Sequence, residues 1–143
     1  MLLLALDTAT ETGSLALVAA DRVLMEYSLE SPNAYLTCLM PGVAAILRKT
    51  GQGIADLGAV AVSTGPGNFT GLRIGLATAK TLAWSLKCPL VPVPTLEALA
   101  GRGHRLREVP SQGVVEAIRV HPREGLLEGG CDRRAPDGAA IGR

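Results

Sequence analysis

The sequence is poor in the residue types that mark most specialised binding surfaces. Its 143 residues include four aromatic side chains, Tyr27, Tyr35, Phe69 and Trp84, too few for a surface that stacks single-stranded nucleic acid. The formal net charge of +1 points neither to a nucleic acid nor to a membrane surface as a partner. No apolar run reaches the length of a membrane span, and the first residues lack the positive region of a signal peptide. These absences predict a cytoplasmic protein with no membrane partner.

Cysteine and histidine are scarce as well, and their spacing matches no common catalytic or metal site. Cys38, Cys88 and Cys131 are far apart, and none has CxxC spacing, which predicts reduced thiols. His104 and His121 both lie in the last third of the chain, and the HExxH and G-x-S-x-G motifs are absent. The sequence therefore predicts no catalytic residue and no metal ligand.

A glycine-rich stretch, residues 63–75, is the most informative part of the chain. The apolar run 59–62 precedes it and the helical pattern 76–86 follows it, so the order predicts a strand, a tight turn and a helix. Asn68 and Thr70 are both suited to the N-cap of that helix.

Small residues recur at every fourth position of this predicted helix and form a ridge. The members of this small-residue ridge are Gly71, Gly75, Ala79 and Ala83. Glycine inside a helix costs about 0.5–1 kcal/mol relative to alanine, so the ridge indicates that something packs closely against the helix. A partner helix or a bound group explains it, and so does the sheet of the same chain.

Further strands are predicted on either side of this stretch. Residues 2–6 form a continuous apolar run, which is typical of a strand buried on both faces. Residues 14–19 and 23–29 predict a second and a third strand, antiparallel to the first. Residues 90–93 predict a short fifth strand, and the proline in it favours the edge of the sheet.

Two more helices complete the pattern of the first 100 residues. One begins with Ser31 as its N-cap and Pro32 at the first helical position, and Pro41 is expected to kink it. The other follows residue 94, with Thr95 as its expected cap.

Residues 101–143 differ in composition from everything before them. They contain eight of the 17 glycines and eight arginines, but no lysine and no aromatic residue. Such a segment buries little apolar area. We therefore predict one domain over residues 1–100 and an atypical Gly/Arg-rich tail over 101–143. The composition of the tail fits a disordered segment, an arginine-rich contact arm, or out-of-frame translation of a gene rich in G and C.

Two turns rich in acidic, hydroxyl and glycine residues indicate a candidate anion site. Asp7, Thr8 and Thr10 follow the first strand, and Gly65 and Gly67 follow the strand at 59–62. If these strands are neighbours, both turns open on one cleft, where N–H groups, hydroxyls and a carboxylate can hold phosphate or hydrated Mg²⁺. Neither the Walker A motif nor the dinucleotide fingerprint is present. In the structural alternative Asp7 caps its own turn and the glycines allow tight corners.

Segments 5–10 and 64–75 together resemble the TsaB family, also called YeaZ. The second segment reads Thr-Gly-Pro-Gly-Asn-Phe-Thr-Gly-Leu-Arg-Ile-Gly and is long and specific, with Asn68 where the family more often has serine. The resemblance covers about the first 100 residues. It implies an α/β fold, an actin-like ATPase (ASKHA) or ribonuclease H-like lobe. That lobe has a mixed five-stranded sheet, three antiparallel strands and then parallel strands, with flanking helices; the family's second lobe is missing or truncated here.

The resemblance also implies a function, that of a non-catalytic scaffold and not of an enzyme. The family is the dimerisation subunit of the bacterial machinery that makes threonylcarbamoyladenosine at position 37 of tRNA. Its helices after the third and fourth strands, here 32–49 and 70–86, pack against the same helices of a TsaD-type catalytic subunit or of a second copy. The interface residues carried over are Leu36, Leu39, Met40, Val43, Thr70, Gly71, Arg73, Ile74, Gly75, Thr78, Ala79 and Ala83.

Further partners follow from the resemblance alone. They are a TsaE-type ATPase and ATP or ADP with Mg²⁺ at a subunit junction, with no cofactor of the chain's own and tRNA bound only indirectly. Two other functions stay open. An actin-like, nucleotide-binding phosphotransferase fragment would use Asp7 and the two turns, and a glycoprotease-like hydrolase is disfavoured by the missing metal and nucleophile sets.

Overall fold

The computed structural model describes residues 1–19, 22–29 and 35–100. Its five strands form one sheet in the order β3-β2-β1-β4-β5. The strands are β1 (Leu2–Asp7), β2 (Gly13–Ala19), β3 (Arg22–Leu29), β4 (Leu57–Ser63) and β5 (Leu90–Val93). The helices are α1 (Tyr35–Thr50), α2 (Phe69–Leu86) and α3 (Thr95–Ala100), and a short 3-10 helix, Ile54–Asp56, precedes β4. This element order is the one that the sequence predicts, apart from the 3-10 helix.

The sheet is mixed, and β1 lies at its centre. β1 pairs antiparallel with β2, which pairs antiparallel with β3. On its other side β1 pairs parallel with β4, and β4 pairs parallel with β5. The prediction of three antiparallel strands followed by parallel strands is therefore confirmed. Pro92 lies in the edge strand β5, as expected for a residue without an amide hydrogen.

Two apolar cores explain why β1 is a continuous apolar run. Leu4 and Leu6 belong to the larger core, which α1 and α2 cover with side chains such as Val43 and Leu82. Ala5, between them, points to the opposite face and belongs to a smaller core that also includes Ala98 of α3. The two long helices therefore share one face of the sheet, and α3 lies on the other.

The helix ends decide between the caps that the sequence left open. The side chain of Asn68 accepts a hydrogen bond from the N–H of Gly71, at 2.8 Å, so Asn68 is the N-cap of α2 and the alternative, Thr70, is wrong. The helix ends at Leu86, and its C-cap Lys87 has a φ of 53°. The predicted cap of α3 is also wrong, because Thr95 is the first residue inside the helix. Its hydroxyl instead accepts a hydrogen bond from the N–H of Gly65, at 3.1 Å.

Some predictions fall outside the described residues. Ser31 and Pro32, the expected start of α1, and the whole of 101–143 lie outside those residues. Pro41 lies inside α1, and the kink expected there stays a prediction. Cys88 has a free thiol, as expected, and Cys131 lies outside the described residues.

Candidate functional site

The two turns of the predicted anion site lie side by side at one edge of the sheet. Because β1 and β4 are parallel neighbours, their carboxyl ends meet there. The N–H of Asn68 donates a hydrogen bond to the carbonyl oxygen of Ala9, at 2.6 Å. The N–H of Thr8 donates to the hydroxyl oxygen of Ser63, at 3.3 Å. The turns are thus bonded to each other.

Asp7 is enclosed by its own turn. Its side chain is 1% exposed, and its Oδ1 accepts a hydrogen bond from the N–H of Ala9, at 2.9 Å. This is the side-chain-to-backbone bond of an Asx turn. The carboxylate therefore holds the turn after β1 in shape, which supports the structural alternative for this residue.

Thr8 connects the first turn to α2. Its side chain is fully buried, and its Oγ1 has no hydrogen-bond partner among the described residues. A Cβ atom added to Gly75 would overlap this Oγ1 and would lie 3.2 Å from the Cβ of Thr8. The glycine at position 75 therefore allows α2 to lie directly against the end of β1.

Gly65 and Gly67 also have structural roles in the second turn. Gly65 has a φ of +107°, which favours glycine. Its carbonyl oxygen accepts a hydrogen bond from the N–H of Thr95, at 2.9 Å. A Cβ atom added to Gly67 would overlap the carbonyl oxygen of Ala9. Both glycines are therefore needed for close approach or backbone shape.

The side chains of the first turn are engaged within the chain. Asp7 and Thr8 are buried, and Gly67 lies against the first turn. Thr10, half-buried, donates its hydroxyl hydrogen to the carbonyl oxygen of Thr12, at 2.7 Å. In the second turn Gly65 is half-buried and Gly67 is exposed, so the closed part of the predicted site is the pair of side chains Asp7 and Thr8. The binding role of these turns stays a prediction.

The predicted interface residues divide into a buried and an exposed group. Buried in the chain itself are Leu39, Val43, Gly71, Gly75, Ala79 and Ala83. Met40, Thr70 and Arg73 are exposed, and Ile74 and Thr78 are half-buried. The side chain of Leu36 lies outside the described residues. Leu39, Val43, Ala79 and Ala83 belong to the chain's own larger core, and Gly75 lies against Thr8; the partner role of all the predicted interface residues stays a prediction.

Sequence reasoning missed two aromatic residues on the exposed side of α2. Phe69 is 68% exposed and Trp84 is 85% exposed. The guanidinium carbon of Arg73 lies 4.2 Å from the centre of the Phe69 ring, a cation–π contact. Phe69 and Arg73 are four residues apart and both fall outside the small-residue ridge, which is the signal that could have identified this pair.

Neither a membrane-spanning helix nor a metal-binding cluster of side chains occurs in the described ranges 1–19, 22–29 and 35–100. No helix in them is long and apolar enough to cross a membrane. No group of three histidine, cysteine, aspartate or glutamate side chains in them lies close enough together to hold a metal ion.

The strand order and the shared helix face define the class of the protein, a ribonuclease H-like lobe. The same fold occurs in RuvC of Thermus thermophilus, with a TM-score of 0.54 at 14% identity, over 83% of this chain and 90% of RuvC. At that identity the likeness is one of fold alone. YeaZ from Pseudomonas aeruginosa matches with a TM-score of 0.67 at 37% identity, over 74% of this chain and 51% of that one.

Sequence comparisons give the family. The model of the TsaD family, tRNA N6-adenosine threonylcarbamoyltransferase, matches residues 30–116. The tRNA threonylcarbamoyladenosine biosynthesis protein TsaB of Bacillus subtilis is 41% identical over 134 residues, 90% of this chain and 58% of that protein. TsaB of Escherichia coli is 39% identical over 100 residues, 70% of this chain and 43% of that protein. The chain belongs to the TsaB (YeaZ) family. It spans about half the length of the curated relatives that it matches.

Proposed function

We propose that the chain is a non-catalytic scaffold subunit of the machinery that makes threonylcarbamoyladenosine at position 37 of tRNA. In this role it pairs with a TsaD-type catalytic subunit, or with a second copy of itself, and contacts tRNA only indirectly. Family membership supports the pathway, because the curated relatives are named for tRNA threonylcarbamoyladenosine biosynthesis. A cytoplasmic location is part of the same proposal.

The observation that carries the scaffold role is the exposed side of the two long helices. Phe69 is 68% exposed and Met40 is 45% exposed, and the Arg73 guanidinium lies over the Phe69 ring. Both helices begin at the end of the sheet where β1 ends, so Met40, Phe69 and Arg73 all lie toward that end. Aromatic, methionine and arginine side chains are the types enriched in protein–protein interfaces. We define this surface, Met40, Phe69 and Arg73, as the helix-face patch.

Polar groups of the predicted anion site are hydrogen-bonded within the chain, which favours the scaffold role over an enzymatic one. The Asp7 carboxylate accepts a hydrogen bond within its own turn, and the two turns are bonded to each other. A TsaE-type ATPase, and ATP or ADP with Mg²⁺ at a subunit junction, remain proposals that rest on the family resemblance.

The test is the molar mass in solution, by light scattering, of the chain alone and mixed with a TsaD-type protein from the same organism. We expect a dimer alone and a defined mixed complex with the partner. Replacing Phe69 by serine, or Arg73 by glutamate, should weaken association by about 30-fold or more, since loss of an interface hot spot costs about 2 kcal/mol or more.

Leu96→Ser is the matched control for this experiment. Leu96 is 61% exposed, but it lies on α3, on the opposite face of the sheet from α1 and α2. This variant should associate like the original chain. A monomer that ignores the partner would contradict the proposal, and so would variants of the patch that bind as well as the Leu96 control.

A further inference from the structure

A cavity of about 670 Å³ lies at the C-terminal end of α2, far along the helix from the helix-face patch. Its lining consists of Lys80, Ala83, Trp84, Ser85, Lys87, Cys88 and Leu90. The volume falls within the roughly 300–1,000 Å³ that is usual for small-molecule sites. The cavity is open to solvent on the side of Trp84, which is 85% exposed, and its lining combines charged and aromatic side chains.

The charge of the lining is of one sign. Lys80 and Lys87 are two of the three lysines in the whole sequence, and the lining contains no acidic side chain. The carbonyl oxygens of Ala83 and Trp84, at the end of the helix, already accept hydrogen bonds from the N–H of Lys87. These two carbonyl oxygens at the end of the helix thus already have hydrogen-bond donors. The positive charges of the Lys80 and Lys87 ammonium groups remain, and they favour an anionic ligand.

The cavity also contains the single tryptophan of the chain. Trp84 is 85% exposed, so its indole ring is open to a ligand. Lys80, Trp84 and Lys87 are spaced by four and three residues, which places them along one side of the helix end. The bases of nucleotides stack on exposed aromatic side chains such as tryptophan.

We propose that this cavity binds a small anion that carries a planar ring, with the ring stacked on Trp84 and the anionic group between Lys80 and Lys87. A free nucleotide and a nucleotide of an RNA strand share this chemistry. The site lies at the opposite end of α2 from the turns at Asp7 and Gly67, and it does not depend on the proposed scaffold function.

The test uses the fluorescence of Trp84, which reports on this cavity because the chain has no other tryptophan. The full chain is titrated with AMP, with adenosine, with inorganic phosphate and with a short single-stranded oligoribonucleotide. We expect AMP or the oligoribonucleotide to quench the fluorescence with saturation, and adenosine and phosphate to bind at least about tenfold more weakly. Preference for AMP assigns a free nucleotide, and preference for the oligoribonucleotide assigns an RNA strand.

Two lysine variants and one control separate the cavity from general charge effects. Lys80→Gln and Lys87→Asn should each weaken binding by about tenfold; asparagine tolerates the left-handed backbone at position 87. Lys49→Gln removes the third, exposed lysine, which lies in α1 outside the cavity, and should leave binding unchanged.

A second readout does not depend on fluorescence. Cys88 is a half-buried free thiol in the lining, so a bound ligand should slow its alkylation by iodoacetamide, followed at that residue by peptide mass. The proposal is overturned if neither AMP nor the oligoribonucleotide saturates, if adenosine binds as well as AMP, or if the Lys49 control weakens binding as much as the cavity variants do.

Discussion

The contact between Gly75 and Thr8 allows a prediction with a definite sign. A Cβ atom at position 75 would overlap the Oγ1 of Thr8 and lie 3.2 Å from two of its carbon atoms. Thr8 is fully buried and cannot swing into solvent. Overpacking of this kind costs about 1–3 kcal/mol, and alanine returns about 0.5–1 kcal/mol of helix propensity. Because the overlapped atom is fully buried, the upper part of the overpacking range, about 2–3 kcal/mol, applies, and Gly75→Ala should reduce the free energy of unfolding by about 1–2.5 kcal/mol.

A double-mutant cycle isolates the contact. Thr8→Ala removes the Oγ1 and Cγ2 atoms and leaves only the Cβ at 3.2 Å from the new methyl group, which a shift of a few tenths of an ångström relieves. In the Thr8→Ala background the same Gly75→Ala change should stabilise the protein by about 0.5 kcal/mol, because only helix propensity remains. The coupling energy between the two positions should exceed about 1.5 kcal/mol.

Urea denaturation followed by circular dichroism gives each free energy of unfolding. Ala77→Gly is the matched control, because Ala77 is exposed on the same helix and its change should cost only the helix propensity, about 0.5–1 kcal/mol. If Gly75→Ala stabilises the original chain as much as Ala77→Gly destabilises it, the contact with Thr8 is not the reason for the glycine. That result would favour the other explanation of the small-residue ridge, in which a helix of a partner packs against it.

Two hydrogen bonds of the glycine-rich turn give further predictions. Asn68→Ala removes the cap of α2 and should lower the free energy of unfolding, measured by urea denaturation, by about 1 kcal/mol. Asn68→Ser should keep most of the stability, and equal stability of the alanine and serine variants would contradict the cap. Thr95→Val leaves the N–H of Gly65 without its acceptor, at a position where Thr95 is 6% exposed. The free energy of unfolding should fall by about 1–3 kcal/mol. A fall of less than about 0.5 kcal/mol would mean that water replaces the hydroxyl group.

Most of the fold is predictable because its signals are local. The apolar run of β1, the glycine-rich turn and the fourfold spacing along α2 each depend on neighbouring residues in the sequence. Pro92 marks an edge strand because proline cannot donate to the ladder. The 3-10 helix Ile54–Asp56 has three residues, and none of them is buried. It therefore leaves no periodic apolar pattern in the sequence from which it could be predicted.

The candidate site is harder to predict, because its contacts join residues far apart in the chain. The Thr95 hydroxyl looks like a helix cap by position, yet it accepts from Gly65, thirty residues earlier in the sequence. Asp7 next to hydroxyls looks like an anion ligand, yet its Oδ1 accepts from Ala9 within its own turn. Composition cannot distinguish a carboxylate that holds a turn from one that holds a ligand, because both need the same residue types.

One side of α2 packs on the sheet of its own chain and the other side is exposed. An interface can therefore be tested only with changes on the exposed side. On the sequence alone Gly75→Leu is expected to separate partner helices while the lobe stays folded. The structure corrects this expectation, because a leucine there would meet Thr8 inside the same chain and would disturb the packing of α2 on β1. Loss of association in that variant would report on folding and not on an interface. The exposed Phe69 and Arg73 are the informative positions, since changing them leaves the packing against the sheet intact.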